Sequence, residues 1–534
     1  MKKSERKPPL LLGAVVVGFA AFAVVFYSIS LPGLAWDEAG AMSAATKYLE
    51  WAKLGPHQAL SEAAITQYWV YGAEHPPFAR LLAAAGMGPF YRPLGLLHSA
   101  RIGAAVNFGF LCALIFYLVA KPRGVPAGVF SAASFALMPR IMGHAMLAEL
   151  DMAMAMTWFL TVVFFVKAIE SRRLWFLPGI GFGLALLTKI NAPFVLVPLA
   201  IWGVAFYRKK ALLPLIATPL IGLAILYAGW PWLWHHPFAR MHWYVTDKLG
   251  RAPVETFYFF RTYGEKPAPW HYPLVMTFVT LPPGILAACI YGSIRSWSTV
   301  RRSPLVPLLF LNLAVIYGVA SLPNVPKYDG VRLVLPAFPF LACLAGMGIA
   351  ELWECLSRKF RKRIQVARVI VSAFFAVELI SVALVYPFGL SYYNLLIGGP
   401  RGAAALGFET TYWGEVVDGD VVDFLNRTCK PNATVTVFPY GSQALQLLPY
   451  AFDVREDITF VEEWQGLYDY VVVVNRQGKL RGLPKALFET TRPLFSKGRA
   501  GVTLCAVYEV PPAYFTSPVA RGTSARPHPS VQPD

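Results

Sequence analysis

Two adjacent carboxylates, Asp37 and Glu38, follow the first long apolar segment of the chain, which covers residues 10–31. Carboxylates are costly near hydrocarbon and usually mark a functional site or a water-filled cavity. An acid at such a boundary could act as a general base, taking the proton of a reacting hydroxyl. The alternative is an ordinary helix start, since Asp caps helices and acidic residues suit a first turn.

An acid and a histidine precede two prolines in Glu74-His75-Pro76-Pro77. The prolines restrict the backbone and start a helix well, so Glu74 and His75 are held in a rigid local geometry. The two side chains could bind a divalent ion, or His75 could donate a hydrogen bond to a phosphate oxygen. The alternative is a capped helix at the membrane interface.

Polar residues also interrupt the later apolar segments. Glu149 and Asp151, separated by one residue, could hold a metal ion or position hydroxyl groups, although so short a spacing is common by chance. Lys189 lies between two apolar segments, where its simplest role is to extend its ammonium to the interface. Arg332 could bind a phosphate through two parallel hydrogen bonds or form a salt bridge with Asp329. Acids and bases gathered on one membrane face favour an enzyme.

The chain that carries these residues has the composition of a membrane protein. Its 534 residues include only 15% charged residues, where a soluble chain would have about a quarter. Apolar segments of about 18 or more residues indicate membrane helices. We predict about eleven spans and interpret residues 81–97 as a re-entrant or interfacial segment, because prolines and an arginine interrupt it. The predicted spans cover residues 10–31, 99–120, 124–140, 151–169, 174–188, 190–207, 211–229, 273–294, 304–322, 331–350 and 365–388.

The formal net charge of +18 is distributed as in a membrane protein rather than a nucleic-acid-binding protein. Basic residues cluster in alternate connections between the predicted spans, which is the positive-inside pattern. The pattern predicts a cytoplasmic N-terminus, and eleven spans then put the C-terminal region outside. The clusters are Lys2, Lys3, Arg6 and Lys7; Lys121 and Arg123; Arg172 and Arg173; Arg208, Lys209 and Lys210; Arg295, Arg301 and Arg302; and residues 358–363.

The sequence predicts a membrane domain over residues 1–414, with large external loops at 32–98 and 230–272. Residues 415–515 alternate short β-rich stretches with helical patterns and predict a small extracytoplasmic α/β domain. Residues 516–534 are rich in Pro, Ser, Arg and Gly and predict a disordered tail. Cys429 and Cys505 both fall in the external region, where a disulfide is allowed but the sequence cannot establish its geometry.

Taken in order, these elements resemble the GT-C class of membrane glycosyltransferases. The resemblance is to bacterial members of the protein O-mannosyltransferase and aminoarabinose transferase superfamily, of the glycosyltransferase family 39 kind, over residues 10–415. The elements that carry it are Trp36-Asp37-Glu38, Glu74-His75-Pro76-Pro77, the Arg101 region, Glu149-Leu150-Asp151, Leu187-Thr188-Lys189, Pro269-Trp270-His271-Tyr272-Pro273, Tyr328-Asp329-Gly330-Val331-Arg332, Leu390-Ser391-Tyr392-Tyr393-Asn394 and Glu409-Thr410-Thr411-Tyr412-Trp413-Gly414.

The resemblance implies a sugar donor on a polyprenyl phosphate and an inverting transfer to an acceptor hydroxyl at the extracytoplasmic face of the bacterial inner membrane. It implies Asp37 as the general base. The catalytic candidates are Asp37, Glu38 and Asp151; the candidates for binding the lipid phosphate are His75, Lys189, Arg332, Arg80, Arg101 and Tyr328; and Glu74 with His271 could hold a divalent metal ion.

The sugar and the acceptor stay open at this point. Lipid A, a secreted protein, a cell-wall glycan and another lipid are all candidate acceptors, and no nucleic-acid partner is indicated. A transporter or flippase of lipid-linked sugars is the alternative function. Transporters often carry internal repeats, and the sequence has none that we can detect.

Overall fold

The computed structural model describes residues 8–250, 253–297, 300, 303–463 and 467–511. The predicted tail at 516–534 and the basic residues Lys2, Lys3, Arg6, Lys7, Arg301 and Arg302 lie outside this part of the chain. The helices of the described residues are α1 (Pro8–Ser28), α2 (Trp36–Trp51), α3 (Pro56–Ala59), α4 (Glu62–Trp69), α5 (Phe78–Arg123), α6 (Val125–Ala136), α7 (Pro139–Ala145), α8 (Leu150–Glu170), α9 (Leu177–Leu186), α10 (Leu196–Tyr207), α11 (Lys209–Gly229), α12 (Pro237–Gly250), α13 (Tyr272–Thr280), α14 (Pro283–Trp297), α15 (Leu305–Ala320), α16 (Phe338–Lys359), α17 (Ile364–Ala383), α18 (Gly399–Ala405), α19 (Gly419–Thr428), α20 (Ser442–Ala451) and α21 (Gly482–Thr490). The strands are β1 (Thr256–Tyr258), β2 (Arg261–Tyr263), β3 (Thr434–Phe438), β4 (Thr459–Phe460), β5 (Tyr470–Val474), β6 (Phe495–Arg499) and β7 (Val502–Glu509).

The predicted polytopic helical fold is confirmed. Within the described residues, six helices are long and apolar enough to cross a membrane, and two bent helix pairs raise the number to eight if each pair is one span. The pairs are α6 with α7, bent by 74°, and α13 with α14, bent by 116°. Pro139 and Pro283 begin the second helix of each pair, as expected for a residue that starts a helix well and cannot continue one. Two shorter apolar helices, Ala192–Tyr207 and Leu305–Ala320, correspond to two further predicted spans.

The segment predicted as re-entrant belongs to the long helix α5, which kinks at Gly95. Gly95 has φ 74° and ψ 178°, a conformation that glycine adopts readily and that other residues rarely do. The kink separates a first helical segment, beginning at Phe78, from the membrane helix that follows. The first segment starts directly after Glu74-His75-Pro76-Pro77.

A five-stranded mixed sheet with order β4-β3-β5-β7-β6 forms the core of the C-terminal region. Strand β3 pairs in parallel with β4 and β5, whereas β7 pairs antiparallel with β5 and β6. Every residue of β5 is buried, which fits a central strand covered on both faces. The predicted small C-terminal α/β fold is therefore confirmed. Cys429 and Cys505 are both free, buried thiols.

The sheet region packs directly against the start of α2. Buried Val435 and Val472 of the sheet share one apolar core with Leu34 and Met42. A Cβ atom on Gly33 would lie 2.0 Å from the backbone oxygen of Val417, so only glycine allows this close approach of the two backbone segments. The loop just before the first acidic pair is thus fixed against the sheet region.

Candidate active site

A polar cavity of about 390 Å³ lies where the membrane helices meet the sheet region. The residues that line it come from distant parts of the sequence. They are Trp36, Asp37, Gly40, Ala41, Glu74, His75, Pro76, Ala79, Arg80, Glu149, Leu150, Lys189, Val254, Tyr328, Asp329, Arg332, Gln443, Arg476 and Lys479. The structure therefore brings together Asp37, Glu74, His75, Arg80, Lys189, Tyr328 and Arg332 of the predicted site residues.

Asp37 lies in the first turn of α2 and faces the cavity with a side chain that is 31% exposed. Its Oδ2 lies 2.7 Å from Nη2 of Arg332. Within the described part of the chain, Oδ1 has no hydrogen-bond partner. One carboxylate oxygen is thus held by a guanidinium while the other is open to a ligand, an arrangement that allows a carboxylate to accept a proton.

Arg332 is the centre of an ion network. Its Nε donates to Oδ2 of Asp151 at 2.6 Å, and its Nη1 donates to Oδ2 of Asp329 at 3.1 Å. The Nζ of Lys189 donates to the other oxygen of Asp151 at 2.5 Å. Because its two oxygens hold Arg332 and Lys189, the buried Asp151 fixes two cations beside the cavity. Asp151 was predicted as a catalytic residue, but it lies behind the cavity wall and does not line the cavity.

Helix α8 explains the position of Asp151. Glu149 caps the helix, and its carboxylate accepts hydrogen bonds from the backbone N–H groups of Asp151 and Met152. An acid at the N-terminus of a helix is favoured both by the unpaired amides and by the helix dipole. The short acid-x-acid spacing therefore has two separate roles, a helix cap and a ligand for cations.

Asp329 joins the network to the sheet region. Its Oδ1 accepts from Nη2 of Arg476 at 2.8 Å, and its Oδ2 accepts from the indole N–H of Trp413 at 2.8 Å. Burial alone would raise the pKa of Asp329, but the guanidinium groups of Arg476 and Arg332 hold it below its usual value. The predicted alternative for Arg332, a salt bridge with Asp329, is present together with the bonds to the other two acids.

Glu74 and Arg80 pair across the first turn of α5. An Nη2–Oε1 distance of 2.5 Å joins them, and Nη1 of Arg80 also donates to the backbone oxygens of His75 and Gly72. His271 lies elsewhere, with its Nδ1 2.9 Å from the hydroxyl of Tyr258, and it does not line the cavity. Glu74 and His271 therefore do not fit the predicted metal pair, because Glu74 is bound to Arg80 and His271 does not line the cavity.

The described residues contain no group of three or more His, Cys, Asp or Glu side chains that could hold a metal ion. The carboxylates that line the cavity make ion pairs with guanidinium groups or cap a helix. Guanidinium and ammonium groups are thus the cationic groups that the described residues present to a ligand here.

Glu38 and Arg101 form a second acid–arginine pair that is fully buried and does not line the cavity. Arg101 donates to Oε1 of Glu38 at 2.8 Å and to Oε2 at 2.6 Å, and also to the backbone oxygens of Ile29, Pro32 and Gly33. Glu38 was predicted to be catalytic and Arg101 to bind phosphate, but both lie in the interior and neither lines the cavity. Their physical role there is to hold the loop before α2.

The sheet region supplies a wall of the cavity that sequence reasoning missed. Arg476 follows β5 by two residues, and Gln443 lies in the first turn of α20, just after β3. Ligands of parallel sheets bind outside the carboxyl ends of the strands, and β3 and β5 are parallel. A polar residue directly after the buried Tyr470–Val474 strand was the available signal. Lys479, three residues further along, completes this wall.

Residues 74–235 match the family model described as dolichyl-phosphate-mannose-protein mannosyltransferase. A sequence search of curated proteins finds no match. The matched region contains Glu74, His75, Arg80, Asp151 and Lys189, which form much of the membrane side of the site.

Two solved structures share the fold. ArnT from Cupriavidus metallidurans bound to undecaprenyl phosphate aligns with a TM-score of 0.51 at 15% identity, over 92% of this chain and 97% of that chain. ArnT in the apo state aligns with a TM-score of 0.50 at 16% identity, over 93% and 98%. The oligosaccharyltransferase of Archaeoglobus fulgidus in the apo form gives a TM-score of 0.49 at 12% identity, over 88% and 70%. The family match and the shared fold confirm the predicted resemblance to GT-C glycosyltransferases.

Proposed function

From the resemblance of this integral membrane protein to GT-C glycosyltransferases of the family 39 kind, we propose that it transfers a sugar from a polyprenyl-phosphate donor to an acceptor hydroxyl. The observation that carries the proposal is a single cavity lined by the Asp37 carboxylate and a cluster of cations. One oxygen of Asp37 is bound to Arg332, and the other has no partner among the described residues. Sugar transfer from a lipid phosphate requires both a base for the incoming hydroxyl and positive charge for the leaving phosphate.

Asp37 acts as the general base in this reaction. The acceptor oxygen attacks the sugar C1, its proton passes to Oδ1 of Asp37, and the bond from C1 to the phosphate oxygen breaks with its electrons moving to the phosphate. Attack from the face opposite the phosphate inverts the anomeric carbon. The ion pair with Arg332 at 2.7 Å orients the carboxylate of Asp37 in the cavity.

Arg332 and Lys189 stabilise the charge that develops on the leaving phosphate. Both cations are held by the buried Asp151, so they need little reorganisation when negative charge forms. A preorganised cation near a developing anion is worth several kcal/mol in such sites, roughly 3 kcal/mol for a single donor. Asp151 is in this account a positioning residue, since both of its oxygens contact cations.

His75, Arg80 and Tyr328 line the same cavity and form a second set of contacts for the donor. Arg80 is already bonded to Glu74 and to two backbone oxygens, so it acts mainly by fixing the backbone of His75. Tyr328 lies beside Arg332, whose guanidinium is 5.6 Å from the centre of its ring. We assign the donor sugar and phosphate to this side because His75 and Arg80 lie in the matched family region.

The active site faces the extracytoplasmic side in this proposal, and the membrane is the bacterial inner membrane. The support is the alternation of basic clusters along the sequence, which assigns the loops that carry Asp37 and His75 to the side opposite the clusters. ArnT, a fold relative, was solved bound to undecaprenyl phosphate, and we propose a lipid phosphate of this chemical class as the donor carrier here.

The test is transfer of radiolabelled sugar from polyprenyl-phosphate hexose in membranes that contain the wild-type protein or Asp37→Asn. We expect label to move to a lipid, glycan or protein fraction with the wild type. A general base contributes roughly 10²–10⁴-fold to rate, so Asp37→Asn should lower transfer by about that factor. The labelled fraction identifies the acceptor class.

An exposed acid on the same helix provides the matched control. Glu50 pairs with Lys47 at the surface, and Glu50→Gln should transfer at the wild-type rate. Equal transfer by Asp37→Asn and wild type would exclude Asp37 as the base. Absence of transfer by the wild type with several pentosyl and hexosyl donors would favour the transporter alternative.

A further inference from the structure

We propose that Arg476 and Lys479, on the sheet side of the cavity, bind an anionic group of a substrate, a phosphate or a carboxylate. The inference rests on the proposed function and deepens it, because it names a chemical property of what enters the cavity. Neither residue lies in the family match, which ends at residue 235.

Arg476 is buried, with 2% of its surface exposed, yet part of its guanidinium has no protein partner. Its Nη2 donates to Asp329 at 2.8 Å and its Nη1 donates to the backbone oxygen of Tyr412. A third donor, the N–H on Nε, is buried and has no hydrogen-bond partner among the described residues. Leaving a buried charged donor unsatisfied is unfavourable, so such a group is a natural ligand contact.

The position of Arg476 relative to the proposed base supports a substrate contact. Its guanidinium lies 5.0 Å from the centre of the Trp36 ring, and Trp36 directly precedes Asp37. An anion bound at Arg476 would therefore lie in the same cavity as Asp37, next to the residue that precedes it.

Lys479 is the second cation of this wall. The other cations lining the cavity each form an ion pair with a carboxylate: Arg80 with Glu74, Lys189 with Asp151, and Arg332 and Arg476 with Asp329. The ammonium of Lys479 forms no hydrogen bond or ion pair with any residue in the described ranges. Burial, and after it the charge of Arg476, lowers the pKa of Lys479. An incoming anion would favour the charged form again.

The loop that carries both cations is held in place by a buried acid. Glu409 accepts hydrogen bonds from the backbone N–H groups of Gln477 at 2.5 Å and Gly478 at 2.9 Å. The hydroxyl of Thr411 donates to the backbone oxygen of Asn475 at 2.8 Å. A loop fixed by its backbone at residues 475, 477 and 478 presents Arg476 and Lys479 in a defined geometry, as a recognition site requires.

Two substrates could supply the anion. The membrane side already provides Lys189 and Arg332 for the phosphate of the donor, so the sheet side is better placed for an anionic acceptor. The alternative source is the same donor phosphate, contacted from a second side. The experiment separates these sources by using two probes.

The test measures binding to the full-length protein in nanodiscs of zwitterionic lipid. The variants are Lys479→Gln, which removes the charge, Lys479→Arg, which keeps it, and the control Lys485→Gln on α21, an exposed lysine outside the cavity. The probes are undecaprenyl phosphate in the disc and inorganic phosphate in solution, each measured alone. A charge-assisted hydrogen bond is worth about 1.5 kcal/mol or more, so we expect roughly tenfold weaker binding of at least one probe to Lys479→Gln.

Each outcome has a definite meaning. Loss of affinity for inorganic phosphate only assigns the site to an anionic acceptor, and loss for undecaprenyl phosphate assigns it to the donor. In both cases Lys479→Arg should retain binding within about threefold, since its charge remains. Equal affinity of wild type, Lys479→Gln and Lys485→Gln for both probes would overturn the inference. Failure of sugar transfer in the wild type would instead count against the proposed function, because these binding measurements do not depend on transfer.

Discussion

Asp37 and Glu38 are adjacent in the sequence, and each carboxylate is bound by an arginine, yet their surroundings differ. Asp37 has one oxygen on Arg332 and a side chain that is 31% exposed to the cavity. Glu38 has both oxygens on Arg101, accepts two further backbone N–H bonds from Ala35 and Ala148, and has no exposed surface. The same pair of chemical groups therefore forms the proposed reactive site in one place and a structural contact in the next.

The difference shows that an unfilled hydrogen-bonding capacity, more than residue type, distinguishes a catalytic candidate from a structural one. A carboxylate has about four lone-pair positions. The contacts of Glu38 occupy them, so it has no capacity for a substrate proton. Asp37 keeps an oxygen without a partner among the described residues, and that oxygen faces the cavity.

The largest effect that tests this comparison is loss of stability in Glu38→Gln. The substitution leaves the buried guanidinium of Arg101 without its counter-charge, and breaking a buried ion pair in this way costs about 3–5 kcal/mol. We expect a lower melting temperature and less folded protein in detergent, as followed by fluorescence-detected gel filtration. Glu50→Gln, on the exposed side of the same helix, should change stability by less than about 0.5 kcal/mol. A Glu38→Gln protein as stable as the wild type would remove the distinction between the two acids.

A further carboxyl near this pair, the buried Glu415, extends the comparison because no arginine of the described residues is bonded to it. Burial raises the pKa of Glu415 to about 7. The folded state therefore keeps a proton that the unfolded chain releases near pH 4.5, and stability falls as the pH rises from about 4.5 to about 7. One pKa unit corresponds to about 1.36 kcal/mol, so Glu415 alone accounts for a loss of about 3 kcal/mol.

Glu415→Gln should reduce this pH dependence, since the amide is neutral throughout. The measurement is the melting temperature of both proteins between pH 5 and pH 8. Glu409, whose pKa burial also raises to about 7, keeps part of the slope in the variant. A variant with the full wild-type slope would show that Glu415 is ionised in the folded protein.

A smaller effect is expected when each arginine is replaced by lysine. Arg332→Lys keeps the charge but loses the fork that reaches three carboxylates, so we expect sugar transfer to fall about ten- to hundredfold, or roughly 1.5–3 kcal/mol. Its melting temperature should fall less than that of Arg101→Lys, because Arg332 lines the cavity whereas Arg101 has no exposed surface. Arg101→Lys should show the reverse, with lower stability and a normal rate for the folded fraction. Arg358→Lys, at an exposed position, serves as the control. Equal effects of the first two variants on rate would contradict the separation.

The sequence was sufficient to predict most of the membrane side of the site. Asp37, Lys189 and Arg332 each lie at or near the end of an apolar segment, and a polar residue at such a point is costly unless it faces a cavity or the interface. His75 was indicated instead by the two prolines that follow it. The same reasoning predicted the helical fold, because long apolar segments have few other structures in a membrane. Bent pairs such as α13 with α14 were not predicted, because hydropathy does not report the direction of a helix.

The rest of the site depended on tertiary contacts that local patterns do not contain. Successive residues on a helix point about 100° apart, so the sequence alone could not decide which of Asp37 and Glu38 faces the cavity. Glu74 and His271 were paired as metal ligands by residue type, but the fold gives them different neighbours. Arg476 and Lys479 reach the cavity only because the sheet packs on α2, a contact between segments more than 400 residues apart.

The most direct test of the account measures donor binding and sugar transfer in the same preparation of Asp37→Asn. In nanodiscs, the variant should bind undecaprenyl phosphate with wild-type affinity or better, because Arg332 and Lys189 are still present. Its single-turnover transfer should be lower by about 10²–10⁴-fold. Transfer at the wild-type rate would contradict the assignment of Asp37 as the base. Loss of donor binding together with transfer would show that Asp37 acts by holding the site together and not by taking the proton.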